Sequence, residues 1–218
     1  MHHGEGVTIR VLRWVCWCAL AESVGMTAAS GAAKAAQHFT DTEFPSTTAL
    51  LIGLGLVIAG GLVEGTALGL AQVQAFRPTH PRIQRRTFLA WTIVVAGLGW
   101  AAASAPSVLA GPGDGSEPPR VLVVLGGAGL GLLMGPLLGL AQSLGLRRAA
   151  AHPRSWIVAN TLGWVPAMAV IFLGATTAAA TWSWVQVTLL GTATGAIAGA
   201  ALGLVLGVFV PRLGIRDH

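Results

Sequence analysis

The chain has 218 residues, 54% of them hydrophobic and only 10% charged, with a formal net charge of +5. Soluble domains carry roughly 25% charged residues, and no stretch between the apolar runs is long enough to build a soluble core. The positive charge sits in short loops with no aromatic-basic patch or reader motif, which argues against a nucleic-acid partner and for topology determinants at a lipid surface.

In chain order, the apolar runs predict six transmembrane helices. Segment one runs from about Val11 to Ala29. A cleaved signal peptide competes for this stretch, with Arg10 and Arg13 before the apolar Trp14 to Ala21 and small residues at Ala28 and Ala29. The internal repeat described below argues for a retained helix. Cys16 and Cys18 point to different sides of a helix and cannot pair with each other, so they read as small apolar residues. A polar loop is expected from Ser30 to Ser46. Its His38, Asp41 and Glu43 match no metal-ligand spacing and read as solvated.

Segment two is Thr48 to Phe76, long enough to tilt or project. Loop two, Arg77 to Arg86, has two prolines and four arginines. Segment three is Thr87 to about Ser107, and Gly111 to Pro119 is turn chemistry. Segment four is Val121 to Leu146, followed by the basic loop Arg147 to Arg154. Segment five is Ser155 to about Ala175, and segment six about Trp184 to Val210, stopped by Pro211. His80 and His152 in the basic turns read as surface residues. Pro136 and Pro166 lie inside segments four and five, where each removes a backbone hydrogen bond.

Lys and Arg are distributed by side. The N-terminus, loops two and four and the C-terminus hold eleven, and loops one, three and five hold only Lys34 and Arg120. Cytoplasmic loops are enriched in Lys and Arg, so both termini are expected in the cytoplasm of a bacterial inner membrane.

Glycine spacing organises the apolar runs. Gly61, Gly65 and Gly69, ending in Gln72, return as Gly131, Gly135 and Gly139, ending in Gln142, with eight of twelve positions identical. A third copy has Gly195, Gly199 and Gly203, with Leu206 in place of the glutamine. Gly127 extends the second ladder, and Gly191 and Gly207 extend the third. Glycines four apart share one helix face and admit a close backbone. The odd segments share a weaker signature, Gly99-Trp100 and Gly163-Trp164, with Gly25-Met26 as its degenerate form. This aligns Glu22, Ala96 and Asn160. The expected fold is an all-α, six-helix transmembrane bundle in a single domain, 1–218. It is built from three helical-hairpin repeats (about 11–76, 87–146 and 155–210) in a pseudo-threefold arrangement. The even helices would pack at the centre through their ladders, and the tryptophan-bearing odd helices would form the outer ring.

This pattern, a tryptophan-bearing helix followed by a glycine-ladder helix ending in Gln and a basic loop, resembles a group of small multi-pass bacterial membrane proteins of unassigned function. The resemblance covers nearly all the chain after Arg10, and its motifs are compositional, so it implies no activity.

Two carboxylates, Glu22 and Glu64, lie within apolar segments, where an ionisable group costs about 2.5 kcal/mol or more. At 1.5 Å per residue they stand roughly 13 and 20 Å from the basic boundary, near the midplane. No intramembrane Lys or Arg can pair with them. They are therefore candidates for a proton or cation site, or for protonated helix–helix glue. Gln72, Gln142 and Asn160 suggest a polar layer in the cytoplasmic quarter, either as interhelical hydrogen bonds or as the lining of a vestibule. No nucleophile elbow, zinc-protease helix or phosphate-binding loop is present, so catalysis is the weakest class and no cofactor or metal is expected. Two functions remain. One is a small channel or transporter for protons, cations or a small solute, which needs a cavity reaching the glutamates. The other is a non-catalytic subunit or scaffold whose glycine faces bind itself or a larger membrane complex.

Overall fold

The computed structural model describes residues 2–40, 45–109, 118–179 and 181–216, with side chains undescribed at 2–6 and 106–109. The described chain is all-helical: α1 (His2–Thr40), α2 (Thr47–Phe76), α3 (Arg85–Leu109), α4 (Arg120–Leu146), α5 (Ser155–Ala175) and α6 (Trp184–Phe209), then a single 3₁₀ turn, Val210–Leu213. Ser46 caps α2 by accepting from the Ala49 amide at 3.2 Å. Ser183 and Gln186 form a capping box that starts α6. Five helices, α2 to α6, are long and apolar enough to cross a membrane, as fits a polytopic membrane protein. The sixth helix, α1, carries Arg10, Arg13, Glu22 and Lys34 and is not among these five.

The expected polar loop after Ala29 is also corrected, because α1 continues to Thr40. Ala32, Ala33, Lys34, Ala35, Ala36 and Gln37 are strong helix formers, and no proline interrupts them before Pro45. Asp41 and Glu43 lie outside the described residues.

Among the described residues, each helix packs against its neighbours in sequence, and α6 returns to α1. The bundle is thus a closed ring of six helices, and the even helices do not meet at its centre. Each ladder instead faces an odd helix: Gly61, Gly65 and Gly69 lie on α3; Gly127, Gly131, Gly135 and Gly139 on α5; Gly191, Gly195, Gly199, Gly203 and Gly207 on α1. A helix with glycine every fourth residue demands a close partner but does not specify which one.

The contacts of successive rungs correct the expected register of α1. Gly139 and Gly203 lie on Trp156 and Trp14; Gly135 and Gly199 on Asn160 and Cys18; Gly131 and Gly195 on Trp164 and Glu22. Gly65 lies on Ala96 and Gly61 on Trp100. Cys18, rather than Glu22, therefore stands where Ala96 and Asn160 do, and Glu22 falls one turn further along, level with Trp100 and Trp164.

The tryptophans are divided between interior and exterior. Trp17 and Trp91 are exposed, but Trp14 and Trp156 are fully buried, contrary to an outer position for all of them. At the basic end, Phe76 packs against Trp14 (ring centroids 4.8 Å), Trp156 (5.0 Å) and Phe88 (5.9 Å), while Trp14 meets Trp156 at 5.5 Å. Rings from α1, α2, α3 and α5 fill the middle of the bundle there. Below them the basic loops knit together. Gly214, the one residue with positive φ (58°) among those described, turns the tail so that Ile215 bridges to Ala150 and the His152 amide donates to Leu213 O at 2.8 Å.

Candidate functional site

The structure brings Glu22 and Glu64 together. Gly25, one turn beyond Glu22, lets α2 come so close that a Cβ placed on it would lie 2.8 Å from Glu64 Cα. Glu22 is 1% exposed and Glu64 5%, and the two lie close together where α1 meets α2. Trp100 Nε1 donates a hydrogen bond to Glu64 Oε2. Neither oxygen of Glu22 has a partner in hydrogen-bonding geometry. A buried acid without a full set of partners is costly, so the pair is a place where a proton or a cation would be stabilised.

Glu64 lines a cavity of about 210 Å³ formed by α2, α3, α4 and α5. Its wall is almost wholly apolar, with Trp100, Met134, Trp164, Met168 and Phe172 among its large side chains and Glu64 as its one carboxylate among the described residues. Thr92 and Leu138 lie towards its basic end, and Ser104 and Ala175 towards the opposite end. A second cavity of about 240 Å³ lies among α1, α5 and α6 and shares Trp100, Ile171 and Ala175 with the first; Lys34 lines it. The two form adjoining space in the half of the bundle away from the basic loops. Glu22 lines neither.

On the basic side of Glu64 lies a polar layer. Gln142 Nε2 donates to Gln72 Oε1 at 2.8 Å and to Thr92 Oγ1 at 2.9 Å, and Trp156 Nε1 donates to Gln142 Oε1 at 2.7 Å. Gln72 and Gln142 therefore meet across the ring. Asn160 is not bonded to either: its amide donates to Trp156 O of its own helix at 3.0 Å, and its Oδ1 is unpartnered. Thr92 and Trp156 are members the sequence reading missed. Both sit on stripes it had already marked, Thr92 one turn before Ala96 and Trp156 one turn before Asn160. Together with the aromatic cluster beneath it, this layer fills the basic end of the bundle with interhelical hydrogen bonds and packed rings.

His80 is corrected from a surface residue to a buried one. Its Nε2 lies 3.2 Å from Gly214 O and its Nδ1 3.0 Å from Thr79 Oγ1, and the ring packs on Phe76. Burial lowers its pKa below the usual value, partly offset by the Gly214 carbonyl. His152 is exposed. Among the described residues, no group of His, Cys, Asp and Glu could hold a metal ion; His38 stands exposed beside Phe39.

No protein-family model, curated protein or solved structure matches the chain.

Proposed function

We infer that the chain is a six-span transport protein of a bacterial inner membrane, moving protons, cations or a small solute by way of Glu64. The observation that carries this reading is Glu64, a buried carboxyl group at the wall of a cavity, with the buried and unpartnered Glu22 beside it. A scaffold has no use for such a pair, since acids at this depth are costly and mark ion and proton pathways. The subunit reading draws no support from the ladders, because each rung is occupied by a helix of the same chain.

The inferred sixth span is α1. It runs antiparallel to α6, from Val11 beside Gly207 to Ser30 beside Gly191. That length is roughly 28 Å, close to the hydrocarbon thickness. Its polarity is compatible with a span because Glu22 faces inward. With six spans, the eleven-to-two distribution of Lys and Arg supports a cytoplasmic position for both termini. The polar layer then lies on the cytoplasmic side and the cavities on the other, as in the outward-facing half of an alternating cycle. The ladder interfaces α2–α3, α4–α5 and α6–α1 are alike in kind, which supports a threefold relation among the repeats and the kinship with small multi-pass proteins of the same pattern.

The test is flux in liposomes loaded with the purified protein. The parent should carry protons or a monovalent cation down a gradient. Glu64→Gln, which keeps shape and hydrogen bonding but cannot titrate, should fold equally well and lose that flux. A parent that moves neither protons nor common cations overturns the transport reading and leaves the membrane-subunit alternative.

A further inference from the structure

Resting on the transport reading, and deepening it, we propose that the cavity beside Glu64 binds a small apolar organic cation, with the cationic nitrogen at the Glu64 carboxylate and the hydrocarbon body among Trp100, Met134, Trp164, Met168 and Phe172. Three observations converge on this class of ligand.

The first is size. The cavity volume is about 210 Å³. A dry apolar cavity of about 150 Å³ takes up benzene, so this one fits a single ring or a short branched chain with one further small group. Taken by itself it is smaller than the pockets of about 300–1,000 Å³ that hold drug-sized ligands.

The second is the character of the wall. An inorganic cation that sheds its water needs several oxygen ligands in exchange, and this wall offers one carboxyl and little other oxygen. It offers instead two indoles and a phenyl ring, whose faces attract organic ammonium groups, and two methionines, which adapt to irregular apolar shapes.

The third is charge. Glu64 is the one ionisable residue on this wall among the described residues. It is already oriented by the Trp100 indole N–H, which leaves its second oxygen for a ligand or for the Glu22 carboxyl. Trp164 Nε1, in a residue that also lines the cavity and is 7% exposed, has no partner. It is a donor, suited to a ligand hydroxyl or carbonyl beside the ammonium. Lys34 lines only the neighbouring cavity, so the inner one is the place where a cation meets a carboxylate without a competing positive charge.

Equilibrium binding to the full-length protein in detergent tests this without reference to flux. The probes are benzyltrimethylammonium, a permanent cation of suitable size, and neopentylbenzene, its uncharged carbon isostere. Titration calorimetry should show the ammonium compound binding at least about tenfold more tightly than the isostere. Glu64→Gln should remove that preference while leaving the isostere's affinity within about twofold, and Trp100→Phe should weaken the ammonium compound alone. Equal affinity of the two probes for the parent overturns the proposal, since the cavity is then an apolar void of the kind that an acyl chain fills. Absence of ammonium binding overturns it as well. Both outcomes are read on the parent, so neither depends on a variant folding. Flux of protons or inorganic cations that Glu64→Gln abolishes, without ammonium binding, would retain the transport reading and reject only this ligand. Binding without flux of any kind would retain the site and reject transport.

Discussion

Replacing Gly199 by alanine adds a single methyl group, and the ring geometry states what that methyl meets. A Cβ built on Gly199 would stand 2.7 Å from Ala19 Cα and equally close to the Cys18 carbonyl carbon. Carbon atoms in contact prefer about 3.5–4.0 Å, so α6 and α1 must separate by roughly 1 Å at this rung. Both obstacles are backbone, which cannot rotate away as a side chain can. The neighbouring rungs, Gly195 and Gly203, would be pulled off Glu22 and Trp14 by the same movement. Overpacking of this kind costs about 1–3 kcal/mol, and for a chain of this size each kcal/mol lowers Tm by roughly 2–4 °C. Thermal unfolding in detergent should therefore show Gly199→Ala lower by roughly 2–12 °C. The control is Gly126→Ala, at a helical position with nothing within 4 Å. There alanine gains roughly 0.8–1.0 kcal/mol of helix propensity over glycine, and Tm should hold or rise. If Gly199→Ala leaves Tm unchanged, or if Gly126→Ala falls as far, the ladder is not a helix contact and the ring is wrongly built.

Three further outcomes follow from other parts of the molecule. Gln142→Leu, which copies Leu206 of the third ladder, leaves Gln72 Oε1 and Trp156 Nε1 without partners and should cost about 1–3 kcal/mol, read as a lower Tm at normal yield. Because burial lowers the folded-state pKa of His80, the unfolded chain binds its proton more readily; stability should be level above about pH 7 and decline as pH falls below the ordinary value of 6.5, a decline that His80→Gln should reduce. In a cysteine-free background, an impermeant thiol reagent applied to intact cells should label Thr181→Cys but neither His152→Cys nor Val7→Cys; labelling at Val7 alone of the last two would mean that α1 does not cross the membrane.

Helices α2, α4, α5 and α6 were legible because a long apolar run with polar or proline boundaries has few other conformations open to it in lipid. Helix α1 was harder. Its inner stretch was recognisable, but the Ala-rich continuation to Thr40 reads as a small-residue loop unless helix propensity is weighed above composition. The ladders revealed close packing without naming the partner. Fourfold spacing describes one face of one helix, and the choice of an odd neighbour over another even helix is a property of the closed ring. The same limit hid Thr92 from the polar layer: its link to Gln142 spans fifty residues, and a threonine in an apolar helix ordinarily bonds its own backbone, as Thr92 also does to Phe88 O at 2.8 Å. Burial of Trp14 and Trp156 reversed a general preference of tryptophan for the interface, because four helices converge on that level and leave a space that only large rings fill. Glu22 and Glu64 stood out for their cost alone. Their meeting depends on Gly25, whose lack of a side chain brings Glu64 alongside.

The most direct measurement of the central claim is chemical modification of Glu64 in the unmutated protein. Dicyclohexylcarbodiimide is apolar, enters membranes and converts a protonated carboxylic acid to a stable N-acylurea. Liposomes containing the parent are treated for increasing times, and each sample is split between flux assay and peptide mass spectrometry, which separates modification at Glu64 from that at Glu22. The account predicts that flux falls in proportion to the fraction of Glu64 modified, and that an excess of the transported cation slows the modification. Full modification of Glu64 with undiminished flux would contradict it.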